Sequence, residues 1–187
     1  MNSFVVIILL HQLIFQGLFL AKNISLRVTL KRPIRGNNKE ANISVAFFAL
    51  FICLSVYEAA KLPENDALLQ FSLPQVLIAL LLMCTNVILG AASLRDLGDS
   101  WRVGVIEEQE TALVASGVYR YTRNPYFVAY LLMFAAYTIL LQSILLCALS
   151  VAGALLVHWM ILKEERFLSM THGDAYRDYR QRVPRYL

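Results

Sequence analysis

The chain has 187 residues, 58% hydrophobic and only 16% charged, with a formal net charge of +4 and a mean hydropathy of +0.57; a soluble domain averages about half apolar and a quarter charged residues. That balance excludes a disordered chain and an ordinary soluble domain, because one core of this size cannot hide several apolar runs of spanning length. Cys53, Cys84 and Cys147 stand alone inside apolar runs, which excludes a disulfide framework and makes them small hydrophobic packers.

A helix needs roughly 20 mainly apolar residues to cross a hydrocarbon core of about 30 Å. The first such run is Phe4 to Ala21; it has no basic flank before it and no small-residue cleavage site, so it reads as a span rather than a cleaved signal. The second is Ile43 to Ala60. The third is Leu73 to Leu94, opened by Ser72, Leu73 and Pro74 in N-cap and first-turn order. From Tyr126 to Leu162 no charge appears, and one helix of that length would be about 55 Å long. It is therefore expected to fold back as a hairpin, with the turn at the polar pair Gln142 and Ser143. The expectation is an all-α polytopic membrane protein of five transmembrane helices, the last two a hairpin.

Basic residues near span ends mark the cytoplasmic side. Lys22, Arg27, Lys31, Arg32, Arg35 and Lys39 follow the first span; Arg95, Arg102, Arg120 and Arg123 follow the third; Lys163, Arg166, Arg177, Arg180, Arg182 and Arg185 follow the hairpin, while Lys61 alone falls in the other connection. With the N-terminus outside, alternation and a returning hairpin put all three basic segments and the C-terminus on the cytoplasmic face. The positive charge then answers to topology and anionic headgroups. No aromatic-interleaved basic stripe points to nucleic acid.

Two segments are expected to fold as surface structure on that face. Arg95 to Pro125 is too long for a simple connection and too apolar for disorder, and Lys163 to Leu187 continues the hairpin as an amphipathic helix carrying Tyr176, Tyr179 and Tyr186 among arginines. Together they can close over the mouth of the bundle, leaving a cavity with a watery side and a lipid side.

Two constellations stand out within them. Gly117 to Tyr126 combines a glycine turn, aromatics, Arg120, Arg123 and Pro125 at the start of a helix, whose free N–H groups make an anion-friendly end; the plainer reading is an interfacial aromatic and arginine belt. Glu164 and Glu165 end the hairpin, where the helix dipole disfavours negative charge and cations are needed nearby. There is no GxGxxG, Walker loop, HExxH or GxSxG. His11, His158 and His172 are dispersed and read as structural, not as a metal site, and Gln12, Gln16 and Asn86 read as interhelical hydrogen-bonding groups.

The segment Leu94 to Pro184 resembles the isoprenylcysteine carboxyl methyltransferase family, in its prokaryotic or archaeal form. The matching pieces are Gly98 with Trp101; Leu113, Val114, Ser116, Gly117, Val118 and Tyr119; Arg123 with Pro125; Glu164 and Glu165; and Gly173, Tyr176, Tyr179, Arg182, Val183 and Pro184. Asn124 stands where that family usually has His, and Phe127 where a Tyr is common; Asn offers a donor or acceptor but cannot titrate near neutrality. The resemblance implies an integral membrane enzyme that carries a methyl group from S-adenosylmethionine, leaving S-adenosylhomocysteine, to a prenylated or other lipidic acceptor entering from the membrane. It divides a single domain, 1–187, into three N-terminal spans (1–94) and a cofactor-binding and catalytic half (95–187). By that resemblance Leu113, Val114, Tyr119, Asn124, Pro125, Tyr126 and Phe127 line the cofactor site, Glu164 contacts the cofactor's polar groups, and Arg123 and Glu165 are catalytic, with Arg123 holding the acceptor carboxylate. The competing expectations are a phospholipid or small-molecule membrane methyltransferase, an NADPH-dependent membrane reductase, and a non-enzymatic scaffold.

Overall fold

The computed structural model describes residues 2–31, 39–62, 72–102 and 112–187, and every regular element among them is helical. In chain order these are α1 (Ser3–Leu30), α2 (Lys39–Ala60), α3 (Leu73–Leu97), two short 3-10 turns (Gly98–Ser100 and Gly117–Arg120), α4 (Pro125–Leu141) and α5 (Ile144–Arg182). By length and composition α1, α2, α3 and α5 can each cross a membrane, and α4 is a shorter apolar helix, about 26 Å long. The chain is an all-α polytopic membrane protein.

Local chemistry sets the helix ends. The Asn2 side chain accepts from the Phe4 N–H at 2.8 Å and donates to the carbonyls of Ala59 and Leu62 at 3.1 and 2.8 Å. It thereby caps α1 and ties its start to the end of α2. Pro stands in the first turn of both α3 and α4, where its missing N–H costs nothing. The expected hairpin turn is where the structure has it: Gln142 adopts φ 48° as the C-cap of α4, and the Ser143 hydroxyl accepts from the Leu146 N–H at 3.3 Å to cap α5. Gln142 also hydrogen-bonds Gln75, whose amide donates to the Ile139 carbonyl at 2.7 Å, so α3 holds the turn closed.

The apolar α4 is the buried centre. Phe127 to Tyr130, Met133, Phe134, Ala136, Tyr137, Leu140 and Leu141 are all buried, as expected of a helix apolar all round. Its neighbours are α3, α5 and α2. Between membrane helices the association comes from close packing and hydrogen bonds rather than from water exclusion. Gly153 lets α5 approach Phe134 and Phe47, and Gly90 lets α3 approach Phe15; a Cβ at either place would stand 2.6–2.8 Å from the ring. Outward, Leu13, Leu20, Leu81, Ile88, Ile144 and Leu155 are exposed, the face that suits lipid.

Three boundaries differ from those expected. Helix α1 continues past Ala21 to Leu30, because Leu26 is buried against the bundle and Asn23 accepts a hydrogen bond from the Trp101 indole at 2.8 Å. Helix α2 starts at Lys39, and α3 runs on to Leu97, each adding a polar turn beyond its apolar run. The expected surface segment 95–125 is described at both ends, while its middle, 103–111, lies outside the described residues. The apolar run of α5 ends at Leu162, and the charged stretch beyond it stays helical to Arg182 with one break at Gly173, φ 51° and ψ −121°. We take the spanning part of α5 as 144–162. After the break Tyr176, Tyr179 and Val183 share one face and pack with Leu113 and Leu168.

Candidate functional site

The turn before α4 is built first by Gly117. Its φ of +60° and the Asp96 carboxylate, which fills the space a side chain would need, both demand glycine. Asp96 accepts from the Val118 N–H at 2.8 Å and pairs with Arg95, tying the end of α3 to this turn. Tyr119 is thereby buried, and its carbonyl accepts from the Tyr179 hydroxyl at 2.7 Å. Burial holds that phenol protonated.

Four residues on, Arg123 enters a dense polar cluster. Its Nε and Nη2 donate to Glu165 Oε1 at 3.1 and 2.9 Å, and its Nη1 donates to the carbonyls of Arg180 and Val183 at 3.0 and 2.8 Å. The Asn124 amide donates to Glu165 Oε1 at 3.3 Å and to the Arg185 carbonyl at 3.2 Å. Arg185 reaches Glu165 from the other side, Nη2 to Oε2 at 2.9 Å. Burial by itself would raise the Glu165 carboxyl, but hydrogen bonds from Arg185 and Arg123 and their charges outweigh it and hold it below the usual carboxylate range. Glu165 is therefore a fixed anion between two guanidiniums.

Glu164 is placed differently. It lines a cavity of about 240 Å3 together with Arg123, Asn124, Tyr119, Tyr126, Phe127, Trp101 and Arg102 near the helix ends. The same cavity reaches Gln16, Phe48, Tyr130 and Met160, each about one turn deeper along its helix. The surface area that Glu164 leaves open faces this cavity. Dense protein around it nevertheless strips away bulk water, and that burial, with the Glu165 charge beside it, pushes its carboxyl up to about 7.

The walls are aromatic. Tyr126 meets Trp101 edge-on at 4.8 Å between centroids, and Phe19 lies 5.2 Å from Tyr126 and 5.7 Å from Trp101. Tyr130 stacks on Phe48 at 4.2 Å. At the deep end Gln16 Nε2 donates to Gln12 Oε1 at 3.1 Å, and Gln12 Nε2 donates to the Tyr137 hydroxyl at 2.7 Å. Tyr137 in turn lies 2.8 Å from His11 Nδ1, and His11 Nε2 lies 3.3 Å from the Met83 carbonyl. With Tyr137 accepting from Gln12, its own proton goes to Nδ1, which leaves the His11 proton on Nε2 for Met83.

Of the residues singled out from the sequence, Arg123, Tyr119, Asn124, Tyr126, Phe127 and Glu164 come together around this cavity. Leu113 packs instead with Tyr176, Tyr179 and Val183. Val114 and Pro125 are not in the lining; Pro125 is buried as the first residue of α4. Glu165 stands behind the lining and organises it. Arg123, expected to hold an acceptor carboxylate, spends four of its N–H bonds on Glu165 and two carbonyls. Phe19, Asn23, Ser44, Phe48, Tyr130 and Met160 line the cavity without having been singled out. The one signal for any of them was the aromatic stripe Tyr126, Tyr130 and Phe134 at helical spacing; Ser44 and Phe48 carry none.

Aromatic faces attract a cation, a carboxylate accepts from an ammonium, and an edge-lined aromatic slot takes a planar base. The aromatic faces and the Glu164 carboxylate of this cavity therefore suit a cationic group. The sequence model of the phospholipid methyltransferase family matches residues 74–175, more than half of the chain, from α3 through the turn and α4 into α5. A search of the curated proteins finds no match.

Proposed function

The chain belongs to the phospholipid methyltransferase family, and from that premise we propose that it transfers a methyl group from S-adenosylmethionine to the polar head of a membrane lipid. The observation that carries this reading is the single cavity bounded by Glu164, Arg123 and Asn124 where the helices turn polar and by Phe48, Tyr130 and Met160 deeper in the bundle. Such a space serves a water-soluble donor at one end and a lipid at the other.

S-adenosylmethionine supplies the activated methyl group. Trp101, Tyr126 and Tyr130 would face its cationic and purine parts, and Glu164 would accept from its ammonium. Methyl transfer is an in-line displacement in which the acceptor's lone pair attacks the methyl carbon and the sulfonium sulfur leaves with the C–S bond pair, so the protein must orient two reactants and keep water out. A carboxylate is ready to attack, whereas an amine must first give up a proton to solvent at the polar end of the cavity. The aromatic walls exclude water. Asn124 and Arg123, anchored by Glu165, hold the polar end of the cavity in one geometry.

The acceptor we favour is an amine head group. A carboxylate acceptor would have to compete with Glu165 for Arg123, since Arg123 already spends four N–H groups. The second reading, the carboxylate of an isoprenylcysteine-like lipid, is supported by the motif order from Leu94 to Pro184 and by Arg102 in the cavity lining. The test is transfer of labelled methyl from S-adenosylmethionine by protein reconstituted in vesicles, with an aminophospholipid or an S-farnesylated cysteine as acceptor. Label in the aminophospholipid fraction supports the favoured acceptor, and label in the farnesylcysteine ester replaces it with the second. No saturable calorimetric binding of S-adenosylhomocysteine by folded protein, with NADPH as control, would overturn the methyltransferase reading.

A further inference from the structure

Beyond the end of α5 the chain turns back across the site. The Pro184 carbonyl accepts from the Arg123 N–H at 2.9 Å, and the Arg185 carbonyl accepts from the Thr122 hydroxyl at 3.0 Å and from Asn124 Nδ2 at 3.2 Å. The Arg185 side chain grips Glu165 with three contacts of 2.9–3.2 Å. One residue later the Tyr186 hydroxyl lies 2.7 Å from His158 Nδ1, with the two rings stacked at 6.2 Å, and Tyr186 packs against the main core. His158 and Glu165 are seven residues apart on α5, so they share one face about two turns apart. The returning strap, residues 183–186, runs along that face.

We propose that Arg185 is a positioning residue for the transfer reaction, kept in register by the strap and by the latch between Tyr186 and His158. The inference rests on the methyltransferase reading of the cavity. Arg123 fixes one oxygen of Glu165; Arg185 fixes the other as well and so sets the plane of the carboxylate. A planar fork meeting a carboxylate constrains direction as well as distance. The Asn124 side-chain amide donates two hydrogen bonds to this assembly, one to Glu165 Oε1 and one to the Arg185 carbonyl of the strap. Without Arg185, Glu165 can swing on the single oxygen that Arg123 holds, and the two cavity-lining residues in front of it lose their common anchor.

The groups facing Glu165 are Arg123 from the turn before α4, Arg185 and Tyr186 from the strap, Glu164 from its own helix, and Tyr176 and Tyr179 from beyond the break in α5. Arg185 and Arg123 are the cations that keep Glu165 ionised in acid. A carboxyl lowered on folding contributes stability above its unfolded value and loses it as pH falls through its folded value. Removing Arg185 raises the folded value, so that loss must begin at higher pH.

The test compares the full chain with Arg185→Ala, Arg185→Lys and Tyr186→Phe in detergent. Three quantities are read: the thermal midpoint across about pH 3 to 7, the affinity for S-adenosylhomocysteine, and labelled methyl transfer. Arg185→Ala should move the acid loss of stability to higher pH, weaken S-adenosylhomocysteine about tenfold and slow transfer about tenfold to a hundredfold. Arg185→Lys, which keeps the charge but not the fork, should restore the pH dependence and only part of the transfer rate. Tyr186→Phe should weaken S-adenosylhomocysteine severalfold at an unchanged pH dependence. If Arg185→Ala does not fold, the other two variants carry the test, and parental affinity and transfer in both would overturn the proposal. So would a folded Arg185→Ala with the parent's pH profile, or equal losses in the Ala and Lys variants that merely follow the drop in midpoint. Parent protein that binds no S-adenosylhomocysteine overturns the methyltransferase reading and this role together; a parent that binds it while Arg185 proves indifferent overturns this role alone.

Discussion

Glu164 and Glu165 are adjacent in the chain and divided in space: Glu164 lines the cavity, while Glu165, 6% exposed, lies behind it between Arg123 and Arg185 at 2.9 Å from each. One step along a helix turns a side chain by about 100°, which is enough to put one carboxylate in the site and the other in its foundation.

Neutralising the two glutamates should therefore have opposite consequences for stability. Glu165→Gln leaves two guanidiniums around a site that no longer balances them and should cost about 2 to 3 kcal/mol, the partial exposure of Arg185 reducing the full penalty of a broken buried pair. Glu164→Gln should leave the thermal midpoint unchanged or raised at neutral pH. Thermal unfolding of both variants in one detergent checks the contrast, and equal losses would show that the two residues share one role.

Acidity should separate them as well. The Glu164 carboxyl, raised on folding from 4.5 to about 7, contributes stability that is complete below 4.5 and is lost as pH rises through about 7. The Glu165 carboxyl, lowered on folding, works the other way. If Glu164 accepts from the ligand's ammonium as proposed, it must do so in its ionised form, so affinity for S-adenosylhomocysteine should climb as pH rises through about 7, and Glu164→Gln should flatten that slope. Calorimetric titration at several pH values measures it.

Gly117→Ala tests the turn. The new side chain would meet the Asp96 carboxylate, release its bond to the Val118 N–H and force a positive φ on a residue that resists it, a loss of about 2 kcal/mol or more. Since Tyr119 follows directly and lines the cavity, S-adenosylhomocysteine binding should fall with stability. An unaltered midpoint would contradict the geometry of this turn.

The chain has two tryptophans, and they sit in contrasting places: Trp101 is 4% exposed and lines the cavity, and Trp159 is 40% exposed. S-adenosylhomocysteine should change the intrinsic fluorescence of the parent and of Trp159→Phe alike, and Trp101→Phe should abolish the change while weakening binding through loss of the indole bond to Asn23. A response that follows Trp159 would place the ligand elsewhere.

Tyr137→Phe removes the hydroxyl shared by Gln12 and His11. Hydrogen bonds inside membrane bundles contribute about 0.6 to 2 kcal/mol each, so the variant should lose about 1 to 2 kcal/mol of stability. Its cavity walls remain, and ligand affinity should stay within about twofold of the parent, which separates the deep network from the donor site.

The amino-acid sequence by itself determined the solvent, the helices and the hairpin turn. Apolar run length, a proline at a first turn, and Gln142 with Ser143 as a lone polar pair are local facts, and lipid allows the backbone few alternatives to a helix. The resemblance of its motifs to those of the isoprenylcysteine carboxyl methyltransferase family supplied six of the residues that surround the cavity, Tyr119, Arg123, Asn124, Tyr126, Phe127 and Glu164; the apolar pattern by itself marked only the turn from Gly117 to Tyr126 and the Glu164–Glu165 pair as departures from it. Only the tertiary structure decided the rest. That Arg123 is spent on Glu165, that Arg185 returns to share it, that Leu113 packs under the last helix, and that Phe19, Phe48 and Met160 wall the cavity all depend on how each helix is rotated against its neighbours. That rotation is set by packing and by pairings across long separations in the chain, Arg123 with Glu165 and Gln12 with Tyr137. Hydropathy and helical period carry no record of those pairings.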